Sequence, residues 1–240
     1  MTKRTPHHST PPLTPSQLRE HTCPQCGALL PQPIGRLDEI PGQAHLRRAV
    51  AVALTGNHPI TFIGVGASLP DALAFGRLGR RYGLTAYATT PCICGNAGNP
   101  YVACTCTPEA IVAWRKRPAF QAAIGADLVV EAALTSVEQR MAHRRGRCGE
   151  TDETIIAQAA EARARPRPTD ELDGVGQRLL AAAIRQLQLT TEQIARVLPV
   201  AQSIAQLADA PAIGPVHLAE ALQYRTRIAA VLDVLEPEQE

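Results

Sequence analysis

The sequence predicts an α/β fold in which a small mixed core is followed by an all-helical region. Apolar residues recur at helical spacing from Gln43 to Leu54, and a short apolar strand follows over residues 59–64. Beyond Val175 the periodicity is helical throughout. The same reasoning places the other core elements in the order helix, strand, helix, strand, at residues 70–82, 84–89, 108–117 and 127–131.

The first helix and strand follow from one apolar stripe and one apolar run. The stripe has the spacing i, i+3, i+4, i+7, i+8 and consists of Leu46, Ala49, Val50, Ala53 and Leu54. Gly56 follows it and suits a C-terminal cap. The strand over 59–64 leads into Gly64-Val-Gly-Ala-Ser68. We expect this glycine-containing run to be a strand-to-helix turn.

Two helices of the C-terminal region carry clear start signals. Thr190 and Gln193 have the spacing of a capping box. The stripe that follows them comprises Ile194, Val197, Leu198, Ala201 and Ala205. Pro215 suits the first turn of a last helix, and this helix carries Leu218, Leu222 and Ile228.

Composition shifts divide the chain into four parts. We predict that residues 1–36 are a disordered arm with a Cys-x-x-Cys knuckle, because residues 1–20 are rich in Pro, Thr, Ser and His. Residues 37–135 form the α/β core and include a cysteine loop at 91–108. Charge dominates residues 136–175, which we interpret as a solvated helix and a linker. Residues 176–235 form the helical domain.

The composition excludes several functional classes. With 240 residues, 45% of them hydrophobic and a formal net charge of +2, the chain is long enough to bury a core. Aromatic residues make up only 3%, which argues against a surface of stacked rings for single-stranded nucleic acid. No apolar run reaches the roughly 18 residues of a membrane span, and the proline-rich N-terminus lacks the pattern of a secretory signal. We therefore expect a cytoplasmic protein that does not contact membranes.

Six of the seven cysteines lie in close pairs, which in a reducing compartment favours metal binding over disulfides. Cys92-x-Cys94 and Cys104-x-Cys106 supply four soft ligands, the set that suits tetrahedral zinc. Reduced thiols without metal and a redox role are the alternatives. Cys23 and Cys26 provide half of a second metal site. The candidates that would complete this half-site are His21, the pair Cys148 and His143, or another chain.

Other singled-out residues have mostly structural interpretations. A basic cluster at Arg140, Arg144, Arg145 and Arg147 is either a phosphate-contacting surface or a solvated charged face. The isolated histidines have no carboxylate or cysteine nearby in sequence, so we expect surface or capping roles for His45, His58 and His217. We expect Trp114 and Tyr224 to pack inside the protein.

Several separated segments resemble one family in a single order along the chain. These segments are Leu37–Ala49, Gly56–Gly64, Pro91-Cys-Ile-Cys-Gly95, Cys104–Glu109 and His217–Arg225. They resemble magnesium-chelatase-like AAA+ ATPases, the branch that includes competence-related helicases, over about residues 37–228. The resemblance implies a P-loop-like AAA+ core, a helical lid-like domain, bound ATP and magnesium, and other AAA+ subunits or DNA as partners.

The sequence departs from this family where ATP would be hydrolysed. A phosphate-binding loop requires G-x-x-x-x-G-K-[ST], but Leu69, Pro70 and Asp71 stand at its last three positions. Only Gly64, Gly66 and Ser68 are left as a vestigial phosphate loop. The family's acidic pair after an apolar strand is missing. Thr90, Gly125 and Glu192 stand at or near its sensor asparagine, intersubunit arginine and lid arginine.

These departures predict a truncated, degenerate member of the family that does not hydrolyse ATP, and they argue against an enzyme without deciding the question. Its expected role is that of a zinc-containing accessory protein. Such a protein would bind DNA, dock on an active AAA+ relative, or form a homo-oligomer. The alternative is a residual ATP-binding protein, or a subunit that completes the site of an active ATPase or helicase.

Overall fold

The computed structural model describes residues 36–40, 42–135 and 150–233. They form a mixed α/β structure in which a three-stranded sheet is accompanied mostly by helices. The helices are α1 Ala44–Gly56, α2 Leu69–Arg81, α3 Pro108–Arg115, α4 Pro118–Ile124, α5 Asp152–Ala164, α6 Gly174–Leu187, α7 Thr191–Leu207 and α8 Pro215–Asp233. The strands are β1 Ile60–Ile63, β2 Ala86–Thr89 and β3 Leu128–Glu131, and short 3-10 turns cover Leu37–Glu39 and Gly66–Ser68. The predicted arm, 1–36, lies outside the described residues except for Arg36.

The sheet is parallel with the strand order β2-β1-β3. Ile60 pairs with Ala86 on one side and with Leu128 on the other. All four residues of the central strand are buried, as expected for a parallel sheet covered on both faces. The three predicted strands are confirmed to within two residues at their ends. Because the strands are parallel, the segments that follow them meet at the carboxyl ends of the strands.

The outer edge of β2 is partly covered by side chains. The carbonyl groups of Thr85 and Thr89 face β1, where they accept hydrogen bonds from Ile60 and Gly64. The alternate carbonyls therefore face outward. Two of these are occupied: Ala86 O accepts from Arg80 Nη1 at 2.8 Å, and Thr90 O accepts from Trp114 Nε1 at 2.9 Å.

Helix α1 is largely buried, and its C-terminal end corrects one prediction. It packs against α5, α7 and β3. The helix continues through Gly56, and the capping residue is Asn57 in the left-handed conformation (φ 54°). The prediction of Gly56 as the cap is therefore wrong. A glycine is required there for another reason, because a Cβ atom would overlap with the His58 ring and the Ser203 hydroxyl.

Helix α5 lies in the charged region that the sequence assigns to a solvated helix and linker. One face is indeed polar, but Ile155, Ala159 and Ala162 are fully buried, and the helix packs on α1. Apart from Ile155 and Ile156, its apolar residues are alanines. A sequence dominated by charge therefore concealed a buried face.

The C-terminal helices α6, α7 and α8 confirm the predicted all-helical region. The capping box is present, with Gln193 N–H donating to Thr190 Oγ1 at 3.2 Å and Thr190 N–H donating to Gln193 Oε1 at 2.9 Å. The buried apolar face of α7 comprises Val197, Val200, Ala201, Ile204 and Ala205. Ile194 and Leu198, which belong to the predicted stripe, are only half-buried. The buried face of α7 is rotated relative to the predicted stripe because α7 packs against both α1 and α8.

No helix in the described ranges combines the length and apolar character needed to cross a membrane.

Candidate metal centre and the glycine turn beside it

The cysteine loop, residues 91–108, brings four sulfur atoms together. The Sγ atoms of Cys92, Cys94, Cys104 and Cys106 all lie within 4.8 Å of one another. Cys94 Sγ is 3.4 Å from Cys92 Sγ and 3.5 Å from Cys104 Sγ, and Cys104 Sγ is 3.6 Å from Cys92 Sγ. A tetrahedral ion with four bonds of about 2.3 Å separates its sulfur ligands by about 3.8 Å. The four thiols thus fit around one metal ion such as zinc.

The end of β2 fixes the first cysteine pair. Thr90 Oγ1 donates to Cys92 O at 2.7 Å, and Gly95 N–H returns to the same carbonyl at 3.1 Å. Gly95 has φ 75°, a conformation that glycine adopts without strain and that turns the chain tightly enough for ligands one residue apart. The backbone N–H of Ala97 donates to Cys92 Sγ at 3.2 Å.

Helix α3 fixes the second pair from the other side. Thr107 caps the helix immediately after Cys106, since its hydroxyl accepts from Ala110 N–H at 3.3 Å. One turn later, Ile111 is buried against the sulfur cluster. The side chain of Trp114 reaches back to the strand end at Thr90. The cysteine loop is therefore held at both ends by regular structure.

The hydrogen-bonding environment divides the thiols into two kinds. Burial opposes ionisation of Cys94, but hydrogen bonds from the backbone at Asn96 and Thr105 outweigh it and lower the pKa of this thiol to about 6. Burial and neighbouring Cys94 and Cys92 raise the pKa of Cys104 to about 12. The pKa of Cys106 is also raised, although the backbone hydrogen bond from Cys94 opposes the shift. One cysteine is thus prepared as a thiolate, whereas a bound cation would have to displace protons from others.

The second predicted metal site cannot be placed. Cys23 and Cys26, and the candidates His21, His143 and Cys148, all lie outside the described residues. The same holds for the basic cluster at 140–147.

The glycine turn, residues Gly64–Ser68, joins β1 to α2 beside the cysteine loop. Its amide groups are bonded within the protein: Gly64 N–H donates to Thr89 O at 3.0 Å, Gly66 N–H to Gly95 O at 2.7 Å, and Ser68 N–H to Val65 O at 3.1 Å. The Ser68 hydroxyl is buried and accepts from Val65 N–H at 2.9 Å. A phosphate loop needs such amides turned toward the ligand, and here they point to protein carbonyls.

Asp71, which stands in place of the family's hydroxyl residue, is also engaged. Its Oδ2 accepts from Gln43 Nε2 at 3.0 Å and from Thr135 Oγ1 at 3.4 Å. Gln43 is itself buried and makes two hydrogen bonds to the backbone of Ala133. Its Nε2 donates to Ala133 O at 2.7 Å, and its Oε1 accepts from Ala133 N–H at 3.0 Å. This polar network lies at the carboxyl ends of the strands, beside β3.

His58 is the one predicted surface histidine that the structure places in the interior. It is buried, and its Nδ1 donates to Asp127 Oδ2 at 3.2 Å while Nε2 lies 2.8 Å from Ser203 Oγ. The expectation of a surface or capping role is wrong for His58, because its partners are distant in sequence. His217 does act at a helix start, where its Nδ1 accepts from Gly214 N–H at 2.9 Å, and His45 is exposed. No sequence signal pointed to the His58 network.

The two predicted packing residues bear out that expectation. Trp114 is half-buried between the Phe120 ring, at a centroid distance of 6.4 Å, and the Arg117 guanidinium, 5.1 Å from its ring centre. Tyr224 is buried and donates to Glu220 Oε1 at 2.9 Å, which together with burial raises the pKa of its hydroxyl.

Comparison with known proteins supports the resemblance on the C-terminal side. A search of curated proteins finds no match to the chain. The family model described as magnesium chelatase, subunit ChlI C-terminal, matches residues 128–225. This range begins at β3 and reaches into α8. This C-terminal part of the chain is therefore similar to the C-terminal part of a magnesium chelatase subunit.

Proposed function

We propose that the protein is a zinc-containing accessory member of the magnesium-chelatase-like group that works by binding a partner and not by hydrolysing ATP. The observation that carries the proposal is the cluster of four cysteine sulfurs within 4.8 Å of one another. A closed set of four thiolates is typical of structural zinc, because a catalytic zinc ion keeps a position open for water or substrate. When bound, the ion would cross-link a loop that buries few of its own residues.

The loop needs such a cross-link. Cys104 and Cys106 lie between exposed residues, and Tyr101 is 83% exposed. Apart from backbone turns, contacts between the two cysteine pairs run through the sulfur atoms. Residues 92, 94, 104 and 106 would therefore be the ligands, and Ala97 N–H would support Cys92 by donating to its sulfur.

The glycine turn supports the absence of hydrolysis. Its bonded amides leave no ready cradle for phosphate, and Pro70 lacks an N–H altogether. Asp71 adds a carboxylate near the start of α2 that would repel an anion. Lys116, at the end of α3, belongs to another part of the fold and does not replace the missing lysine of the turn.

Metal analysis and an ATPase assay on one preparation test the proposal. We expect about one zinc ion per cysteine loop in protein purified without chelator, two per chain if the Cys23/Cys26 site is also filled, and no magnesium-dependent phosphate release. Less than about a tenth of an equivalent of metal would refute the zinc site. Turnover that survives purification and disappears on substitution within residues 64–71 would refute the absence of hydrolysis.

The partner is part of the proposal. Docking on an active AAA+ relative, or on a second copy, accounts for a helical domain that is kept without a working nucleotide site. DNA is the other candidate, on the strength of the arginines between 140 and 147, and its binding would weaken steeply with salt. Nucleotide titration separates both from a residual ATP-binding protein, in which ATP would bind without being hydrolysed.

A further inference from the structure

We infer that the cysteine loop and the glycine turn form one coupled unit, in which the metal content of the loop sets whether the Gly66 amide is held or released. The inference rests on the proposed zinc centre and adds a regulatory property to it. It concerns the contact between two segments that are about 30 residues apart in sequence and adjacent at the edge of the sheet.

One short hydrogen bond joins the two segments. Gly66 N–H donates to Gly95 O at 2.7 Å. Gly95 directly follows the ligand Cys94, and its own N–H is bonded to Cys92 O. Its carbonyl is therefore oriented by the same turn that brings Cys92 and Cys94 to the metal position.

The asparagines between the cysteine pairs pack onto the same glycine. Gly66 has φ 54°, and a Cβ atom there would overlap with Asn99 Nδ2 and lie 3.3 Å from Asn96 Oδ1. Asn99 Nδ2 in turn donates to Asn96 Oδ1 at 3.2 Å, and its N–H donates to Asn96 O at 2.9 Å. The loop thus approaches the turn so closely that only glycine fits.

These contacts make the coupling reciprocal. If a metal ion fixes the cysteine loop, it also fixes the carbonyl that holds Gly66. By linkage, the contact at Gly66 must favour metal binding by the same factor by which bound metal favours the contact. A change at Gly66 that pushes the loop away should therefore weaken metal binding. This second direction is the more informative one, because Gly66 supplies no ligand to the metal.

The first experiment measures the zinc affinity of G66A by competition with a chromophoric chelator. We expect at least about a tenfold loss relative to the unsubstituted protein, about 1.4 kcal/mol. The control is G83A, in the turn between α2 and β2, which has φ 84° and open space around the Cβ position. It introduces the same unfavourable backbone conformation without touching the cysteine loop. Equal affinity of the two variants would overturn the inference.

The second experiment follows amide hydrogen exchange of the unsubstituted protein with and without chelator. Exchange of the peptide covering residues 64–68 should accelerate at least tenfold on metal removal, while that of α7 stays unchanged. Unchanged exchange at 64–68, with the loop itself accelerated, would contradict the coupling. Should chelation unfold the whole chain, the G66A and G83A comparison still decides. A protein that binds no zinc at all would refute the proposed function, whereas one that binds zinc equally in both variants refutes only the coupling.

Discussion

Helix α1 and the cysteine loop are held in place by different forces. Nine of the thirteen residues of α1 are buried, so apolar contacts with neighbouring elements suffice to fix it. In the cysteine loop only Pro91, Cys92, Gly95 and Ala97 are buried, although the segment is longer. Two parts of one small fold thus differ in burial, and the proposed zinc ion would supply to the cysteine loop the stabilisation that apolar contacts supply to α1. The predictions below test this difference.

The largest effect is expected for C104S. Structural zinc contributes roughly 10–16 kcal/mol in small domains that are unfolded without metal. Here α1 and the sheet are buried without its help, so the loss should fall mainly on the cysteine loop. The variant should lose zinc, lose protection of the cysteine loop in hydrogen exchange, and melt at a markedly lower temperature. T105S changes an exposed neighbour of Cys104 that supplies no sulfur and serves as the control, because Cys148 is itself a candidate ligand of the Cys23/Cys26 site. Zinc content and melting equal to those of the control would show that Cys104 is not a ligand.

The second prediction concerns L46A in α1. Leu46 is fully buried, so truncating it should cost about 2–5 kcal/mol in the free energy of unfolding. The loss should be the same in chelator as in zinc, because this helix does not depend on the metal. L187A makes the same change at a site that is 44% exposed and should cost less than about 1 kcal/mol. A penalty for L46A that appears only in the presence of zinc would break the comparison.

The third prediction concerns the polar contacts of the region around α1. H58A removes hydrogen bonds to Asp127 and Ser203 inside the protein and should destabilise it by about 1–3 kcal/mol, without a change in zinc content. H45A removes an exposed histidine that contacts Glu131 O and should cost much less. Denaturant titration of the two variants measures the difference. Equal midpoints would mean that the buried network contributes nothing net.

The smallest expected effect is the number of protons that the protein releases when zinc binds. Because the pKa of Cys104 is raised to about 12 and that of Cys106 is also raised, both thiols carry protons near neutral pH in the absence of metal. Cys94, with a pKa lowered to about 6, is already mostly ionised. Zinc binding near neutral pH should therefore release at least about two protons, one each from Cys104 and Cys106, and zinc affinity should rise with pH because protons compete with the ion. Calorimetry in buffers of different ionisation enthalpy measures this release, and none would contradict the pKa assignment.

Features that depend on short sequence distances were predictable. The four-cysteine cluster is one, because all four cysteines lie between residues 92 and 106, and closely spaced thiols are typical of a metal site. The capping box of α7 is another, because Thr190 and Gln193 contact each other within one helical turn. The C-terminal helical region, later matched by the family model, was recognisable from periodicity and the order of its segments.

Features that depend on distant contacts were not predictable. His58 is separated by 69 residues from Asp127 and by 145 from Ser203, and no local pattern connects them. The contact between Gly66 and Gly95 was missed for the same reason, although each glycine was noted separately. The buried face of α5 escaped because small alanines among charges carry a weak periodic signal.

The covered edge of β2 has a consequence for how the protein behaves at high concentration. A strand at the end of a sheet normally offers its unpaired backbone groups to a strand of another molecule, which is a route to aggregation. Here Arg80 and Trp114 already occupy the outward carbonyls at both ends of this strand. A continuous sheet running from one molecule to the next through β2 would have to break both contacts. We therefore expect copies of the protein that meet in solution to meet through surfaces other than this edge.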